Sequence, residues 1–261
     1  LTFTGAFVAS GFGSGPVAVV AAVLATVFAT GAGNAINDYF DREIDRINRP
    51  DRPIPRGAVS PRGALVFSVV LFLGAVVAAL VLPLAAIAIA VANLLALLAY
   101  TELFKGLPGV GNVVVAYLTG STFLFGAAAV GRLGDPAALV LFALAALATL
   151  TREIVKDVED IAGDREEGLR TLPIVVGEPT ALRIGAVVLL VAVAASALPY
   201  VMGTFGLVYL LLVVPADGVM LAALRQSFDR PSIAQQRLKR GMFLATAAFV
   251  AGRVAETGLA F

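Results

Sequence analysis

The 261-residue chain balances 19 Lys and Arg against 18 Asp and Glu, and neither its net charge of +1 nor any basic run offers a footprint for nucleic acid. It is 59% hydrophobic and 14% charged, with mean hydropathy +0.94, whereas a soluble domain has about a quarter of its residues charged; it reads as an integral membrane protein. It has no Cys and no His. Disulfides, thiol chemistry and imidazole bases are thereby excluded, and any metal must be held by oxygen, which points to magnesium or a similar hard ion.

The apolar residues come in blocks of about 20, the length that crosses hydrocarbon as a helix, without the alternation of a membrane β-barrel. The chain opens Leu1-Thr2-Phe3, with no Met and no charged segment before an apolar run, so no signal peptide is read there. A first helix over about 1–13 is expected, truncated at its start. After Gly15-Pro16 a second helix is expected over about 16–46. Its far end carries Asn34, Asn37, Asp38, Asp41, Glu43 and Asp45, and the loop beyond it carries Arg46, Arg49, Arg52 and Arg56. Residues four apart advance by about 400° in a helix, so Asn37, Asp41 and Asp45 share one face.

Spans over about 61–82 and 84–103 follow, the latter ending near Tyr100 and Lys105, and then a span over about 109–130. The sixth helix, about 136–162, leads into a second acidic stretch. There Glu153, Asp157, Asp160 and Asp164 lie within about 60° of one another on a helical wheel, flanked by Arg152 and Lys156. Twelve of the 18 acids fall in the two stretches, 38–51 and 153–167. Acids are unfavourable both near helix carboxyl ends and in lipid, so carboxylates placed this way twice call for cations. Facing each other, the two stripes make a cage for divalent ions, which in turn hold phosphates. With Arg and Lys around the same cavity, such a site suits a diphosphate.

The last three helices are expected over about 179–200, 204–226 and 234–257. Asp217 is the one acid well inside a span; it reads either as a functional group or as the partner of a neighbouring helix. Seventeen of the 19 Lys and Arg cluster around the even-numbered helix ends and the loops that follow them, Arg132 and Arg253 being the exceptions. The positive-inside rule then places both acidic stretches on the cytoplasmic side of a multi-pass cell-membrane protein. The whole chain, 1–261, reads as one all-α membrane domain, nine helices around a central cavity. Arg52-Pro53-Ile54-Pro55 after the first stretch and Arg170-Thr171-Leu172-Pro173 after the second hint at a duplication. The halves are about 1–103 and 109–226, with a ninth helix beyond.

Asn37-Asp38-Tyr39-Phe40-Asp41-Arg42-Glu43-Ile44-Asp45 resembles the first signature of the UbiA superfamily of intramembrane prenyltransferases. Lys156-Asp157-Val158-Glu159-Asp160-Ile161-Ala162-Gly163-Asp164 resembles the second, and Tyr100-Thr101-Glu102-Leu103-Phe104-Lys105 the short motif between them. The runs 45–57 and 165–174 are most similar to archaeal digeranylgeranylglyceryl phosphate synthases. The resemblance implies that Asn37, Asp41 and Asp45 bind Mg2+ and diphosphate from one side and Asp160 and Asp164 from the other. Asp157 joins as a further metal ligand and Asp38 as an auxiliary one. Lys105, Tyr100, Arg46, Arg52 and Lys156 are the implied substrate contacts. It also implies transfer of a geranylgeranyl group from geranylgeranyl diphosphate to a lipid-like acceptor, geranylgeranylglyceryl phosphate. Two alternatives stand beside that reading: an aromatic acceptor such as hydroxybenzoate or naphthoate, and a cation-coupled transporter. The Arg and Asn that family members carry in the first helix precede the point at which this chain starts.

Overall fold

A computed structural model describes residues 1–13, 15–104, 107–166 and 168–258. The described residues form helices and turns only. In chain order the helices are α1 (Thr2–Ser10), α2 (Pro16–Phe40), α3 (Arg42–Asn48), α4 (Pro61–Ala79), α5 (Leu84–Ala99), α6 (Val110–Ala129) and α7 (Pro136–Glu166). They continue as α8 (Leu172–Val176), α9 (Glu178–Ala195), α10 (Leu198–Val201), α11 (Leu207–Ser227) and α12 (Pro231–Glu256). Among the described residues six helical stretches are long and apolar enough to cross a membrane: α2, α4, α6, α7, α9 with α10, and α11; α5 is a shorter apolar helix. Rows of exposed Val, Leu and Phe on α4 and α5, among them Phe67, Phe72 and Leu95, present apolar surface that water would penalise and lipid accepts.

Helix starts follow local chemistry. Ser60 accepts a hydrogen bond from the Gly63 amide with Pro61 in the first turn of α4, and the Asp135 carboxylate accepts from the Ala138 amide beside Pro136. Three expected helices are interrupted. The helix expected over 16–46 breaks at Asp41, where Arg42 Nη1 donates to the Tyr39 carbonyl at 2.8 Å and its guanidinium lies over the Tyr39 ring. Acids crowding a helix carboxyl end weaken it at that point. The helix expected over 84–103 ends at Ala99 and continues as a wider π turn, Tyr100–Phe104. The one expected over 179–200 breaks at Ser196. Pro199 has no amide for the Ala195 carbonyl, and the Tyr209 hydroxyl takes up the Ser196 carbonyl at 2.7 Å.

Packing runs α2 on α4, α6 on α7, α7 on α9 and α12, and α11 on α12. Short α1 sits inside, touching α2, α6, α7 and α12, with Ala6 and Val8 buried. It gets there because two glycines remove the side chains that would keep backbones apart. A Cβ on Gly5 would collide with the Phe123 backbone, and one on Gly126 with the Thr2 carbonyl and Ala6 amide. Arg253 of α12 closes the same end, donating from Nε to the Val8 carbonyl and pairing with Asp135 at 3.3 Å.

Candidate active site

The break at Asp41 sets the first stretch. Asn37 and Asp38 belong to the end of α2, Asp41 to the junction and Asp45 to α3. Asn37 and Asp41 are exposed, while Asp45 is 5% exposed. The loop after α3 brings Arg52 back over this face: its Nη1 lies 2.6 Å from Asp45 Oδ2 and 3.1 Å from Asp38 Oδ1. The hydrogen bond to Asp45 raises the Arg52 pKa above its ordinary value, with the charges of Asp45, Asp38 and Asp41 adding to it against partial desolvation. A guanidinium thus stands between two carboxylates. Arg46, expected near the same site, turns instead to Glu43 at 2.9 Å on the exposed side. Lys105 lies outside the described residues.

The second stretch is the end of α7. Asp157 accepts a 2.8 Å hydrogen bond from Asn112 Nδ2, reaching across from the start of α6. Asp160 is exposed and 3.8 Å from Lys156 Nζ. Asp164 accepts from the Thr171 hydroxyl at 3.0 Å, and its carbonyl accepts from the Leu169 amide, so the following loop folds back over the helix end. Tyr100, on the π turn, stands within electrostatic reach of Lys156, Glu153 and Asp157. Asn112 and Thr171 had no signal in the acidic pattern. Asn112 was legible only as a polar residue opening an apolar helix.

Among the described residues no three acids converge on one point. The expected cage is thus not assembled among the described residues, and each stretch is held by its own partners: Arg52 for the first, Asn112, Lys156 and Thr171 for the second. The donor set is all oxygen, and the partners are hydrogen bonds that a cation can displace.

Inward of Asp157 the α7 stripe enters a cavity of about 350 Å3 bounded by α6, α7, α9, α11 and α12, with Leu1 at one edge. Its wall is mostly apolar, Phe123, Leu141, Val213 and Phe249 among others, and its charged residues are Arg152, Glu153, Asp217 and Lys239. Glu153 pairs with Arg152. Asp217 accepts a 2.7 Å hydrogen bond from Ser196 Oγ, the neighbouring-helix partner that was one of its two sequence readings. A mostly apolar cavity with Arg152, Glu153, Asp217 and Lys239 in its wall is a geometry for a molecule with a charged head and a hydrocarbon body.

Residues 1–247 match the UbiA prenyltransferase family. The chain belongs to that family. As a UbiA prenyltransferase it is 68% identical, over 97% of its length and 88% of the relative's, to the digeranylgeranylglyceryl phosphate synthase of Haloquadratum walsbyi. It is 66% identical to that of Natronomonas pharaonis, over 98% of its own length and 91% of the relative's. Among solved structures, a digeranylgeranylglyceryl phosphate synthase studied in membranes superposes on this UbiA prenyltransferase with a TM-score of 0.85. The two are 34% identical, and the match covers 97% of this chain and 92% of that one.

Proposed function

We propose that the chain transfers a geranylgeranyl group from geranylgeranyl diphosphate to the glycerol hydroxyl of geranylgeranylglyceryl phosphate, making a second ether bond. The observation that carries this is the 68% identity to the Haloquadratum walsbyi synthase along nearly the whole chain; the acidic end of α7, a helix that also lines an apolar cavity, supports it. The allylic C–O bond of the donor breaks with its electron pair leaving on the diphosphate. The acceptor oxygen forms the new bond to carbon and gives up its proton to the departing diphosphate or to an Asp not engaged on metal. Asn37, Asp41 and Asp45 on one side, and Asp157, Asp160 and Asp164 on the other, hold Mg2+, with Asp38 beside them; bound Mg2+ supplies charge neutralisation for the leaving diphosphate. Arg52 keeps Asp38 and Asp45 in place and offers its guanidinium to a phosphate oxygen. Lys156, Tyr100, Arg46 and Lys105 complete the diphosphate contacts. The apolar wall excludes water, which would otherwise capture the carbocation.

In this reading α1, α2, α4, α5, α6, α7, α9, α11 and α12 are nine spans of one domain, about 1–103 and 109–226 being its halves. The short helices α3 and α8, each following an acid-tipped helix, support the duplication. The basic loops support a cytoplasmic active site in the cell membrane.

The test is transfer of label from radiolabelled geranylgeranyl diphosphate by the reconstituted protein, with geranylgeranylglyceryl phosphate or 4-hydroxybenzoate as acceptor. Labelled ether lipid, abolished by EDTA and restored by Mg2+, is expected; label on the aromatic acid instead would move the protein to another pathway. A second expectation concerns Asn112. Asn112→Leu removes the donor that orients Asp157, and loss of such an outer partner costs about 10–100-fold in metal affinity or activity. Titrating Mg2+ against turnover checks this: an unchanged half-saturating concentration together with unchanged kcat would remove Asp157 from the metal set.

A further inference from the structure

The loop between α3 and α4 delivers one side chain to the first acidic stretch. The Arg49 amide closes α3 on the Asp45 carbonyl at 2.8 Å, and the Arg52 amide turns back to the Arg49 carbonyl at 3.0 Å. The Arg56 amide then reaches the Arg52 carbonyl, and the Val59 amide the Pro53 carbonyl, each at 3.1 Å, just before Ser60 caps α4. Pro53 and Pro55 fix φ within these turns. The backbone at Arg52 is thus set by its own loop, and the guanidinium stands at the first stretch whatever the carboxylates there hold.

The two acidic stretches are held by partners of different charge. In the first, Arg52 Nη1 takes Asp45 Oδ2 at 2.6 Å and Asp38 Oδ1 at 3.1 Å. Asp45 is buried, and a buried carboxylate stripped of its cation is strongly destabilising, so Asp45 needs a positive partner at all times. In the second, Asp157 and Asp164 accept from neutral groups, the Asn112 amide and the Thr171 hydroxyl. Lys156 lies 3.8 Å from Asp160, with both side chains about half exposed, where an ion pair contributes little. Neutral donors can leave a carboxylate for water without stranding a charge. Arg52 cannot be replaced so simply: a divalent ion on Asp45 repels the guanidinium beside it, which then needs another anion within reach of its loop. A diphosphate on the same carboxylates is that anion, since phosphate oxygens accept a guanidinium as carboxylates do.

We propose that Arg52 is a resident counter-ion that gates the first stretch: it holds Asp38 and Asp45 in the donor-free protein and passes to the diphosphate as the carboxylates turn to Mg2+. No covalent bond changes in this exchange. Arg52 is here a positioning residue that makes metal and donor enter the first stretch together. The identity of both ligands rests on the proposed function. The gate makes an opposed prediction for the two of them. Removing Arg52 strengthens divalent-ion binding to the donor-free protein and weakens the donor. A group that only bound phosphate would leave the metal unchanged, and one that only supported the fold would weaken both.

The experiment uses the full chain in detergent micelles, with Arg52→Gln and the double variant Arg52→Gln/Asp45→Asn. Mn2+ bound to the donor-free protein is counted by electron paramagnetic resonance of the free ion. Arg52→Gln is expected to bind one Mn2+ more than wild type at a concentration about tenfold below that at which wild type gains it, and the double variant should lose that ion. Arg52→Gln should melt below wild type in EDTA, because Asp45 is unpaired, and Mg2+ alone should restore its melting temperature. At saturating Mg2+ the unreactive donor analogue geranylgeranyl thiolodiphosphate should bind it about tenfold more weakly than wild type, the scale of one charge-assisted hydrogen bond. The gate is overturned if Arg52→Gln gains no Mn2+, if it stays unfolded in Mg2+ as in EDTA, or if it binds the analogue as wild type does. A protein whose analogue binding depends on Mg2+ but shows no opposed shift keeps the proposed function and loses the gate. Analogue binding independent of Mg2+ in every variant would remove both.

Discussion

Asp160→Asn is expected to lower kcat by about 10²–10³-fold, the usual cost of removing one group that stabilises charge developing in a transition state. Asp41→Asn should do the same from the other side. Among the carboxylates proposed to hold Mg2+, these two are the exposed ones. Asp41 has no ion pair among the described residues and Asp160 only a long one to Lys156, whereas Asp45, Asp157 and Asp164 are already tied to Arg52, Asn112 and Thr171. Neither substitution removes a packed side chain, so thermal melting should stay near wild type while turnover is lost. The loss should appear in kcat more than in the acceptor KM, and raising Mg2+ should recover part of it if the lost oxygen is a metal ligand. If either variant turned over near the wild-type rate, the two acidic stretches would not act as one site. If both stretches hold one donor, as proposed, the double variant should be little worse than either alone.

Gly126→Val is expected to produce a large loss of stability. A Cβ there meets the Thr2 carbonyl and the Ala6 amide at less than contact distance. Backbone cannot rotate out of the way as a side chain can, so α1 must separate from α6. Overpacking typically costs about 1–3 kcal/mol and occasionally more, and the upper end applies here. The effect reaches function because Leu1, at the start of α1, lines the cavity; the variant should lower the melting temperature and raise the acceptor KM together. Gly134→Ala is the control, since nothing lies within 4 Å of a Cβ at that position. A Gly126→Val protein that melts with the wild type would mean that α1 does not pack on α6 in this way.

The contrast between these two sites shows what was legible in the residues alone. The acidic pattern is local: a repeat of four in an apolar chain with no His or Cys is visible without knowing what faces it, and it already implies a hard cation and a phosphate. The glycines are different. Gly5 and Gly126 are two of 26 glycines, and nothing nearby in sequence marks them as the pair that lets two backbones meet. The cavity was equally silent, since Arg152 and Lys239 are ordinary residues of an α-helix until α7 and α12 are brought together.

The sequence by itself determined the membrane class, the all-helical character, the charge asymmetry and the position of the two acidic stretches, because the cost of burying charge in lipid and the period of a helix act over a few residues at a time. It also determined, through three motifs in order, the kinship with intramembrane prenyltransferases. Only the tertiary structure decided that Arg52 turns back to hold Asp38 and Asp45, that Asn112 reaches Asp157 from another helix, and that each acidic stretch has its own partners. It alone placed Arg152, Asp217 and Lys239 on one chamber. The contact of Asn112 with Asp157 joins residues 45 positions apart, and in a chain this apolar many pairings of helices would bury similar surface. Which pairing forms depends on close packing between side chains and bare backbone, a property of two surfaces together that neither stretch of sequence carries alone.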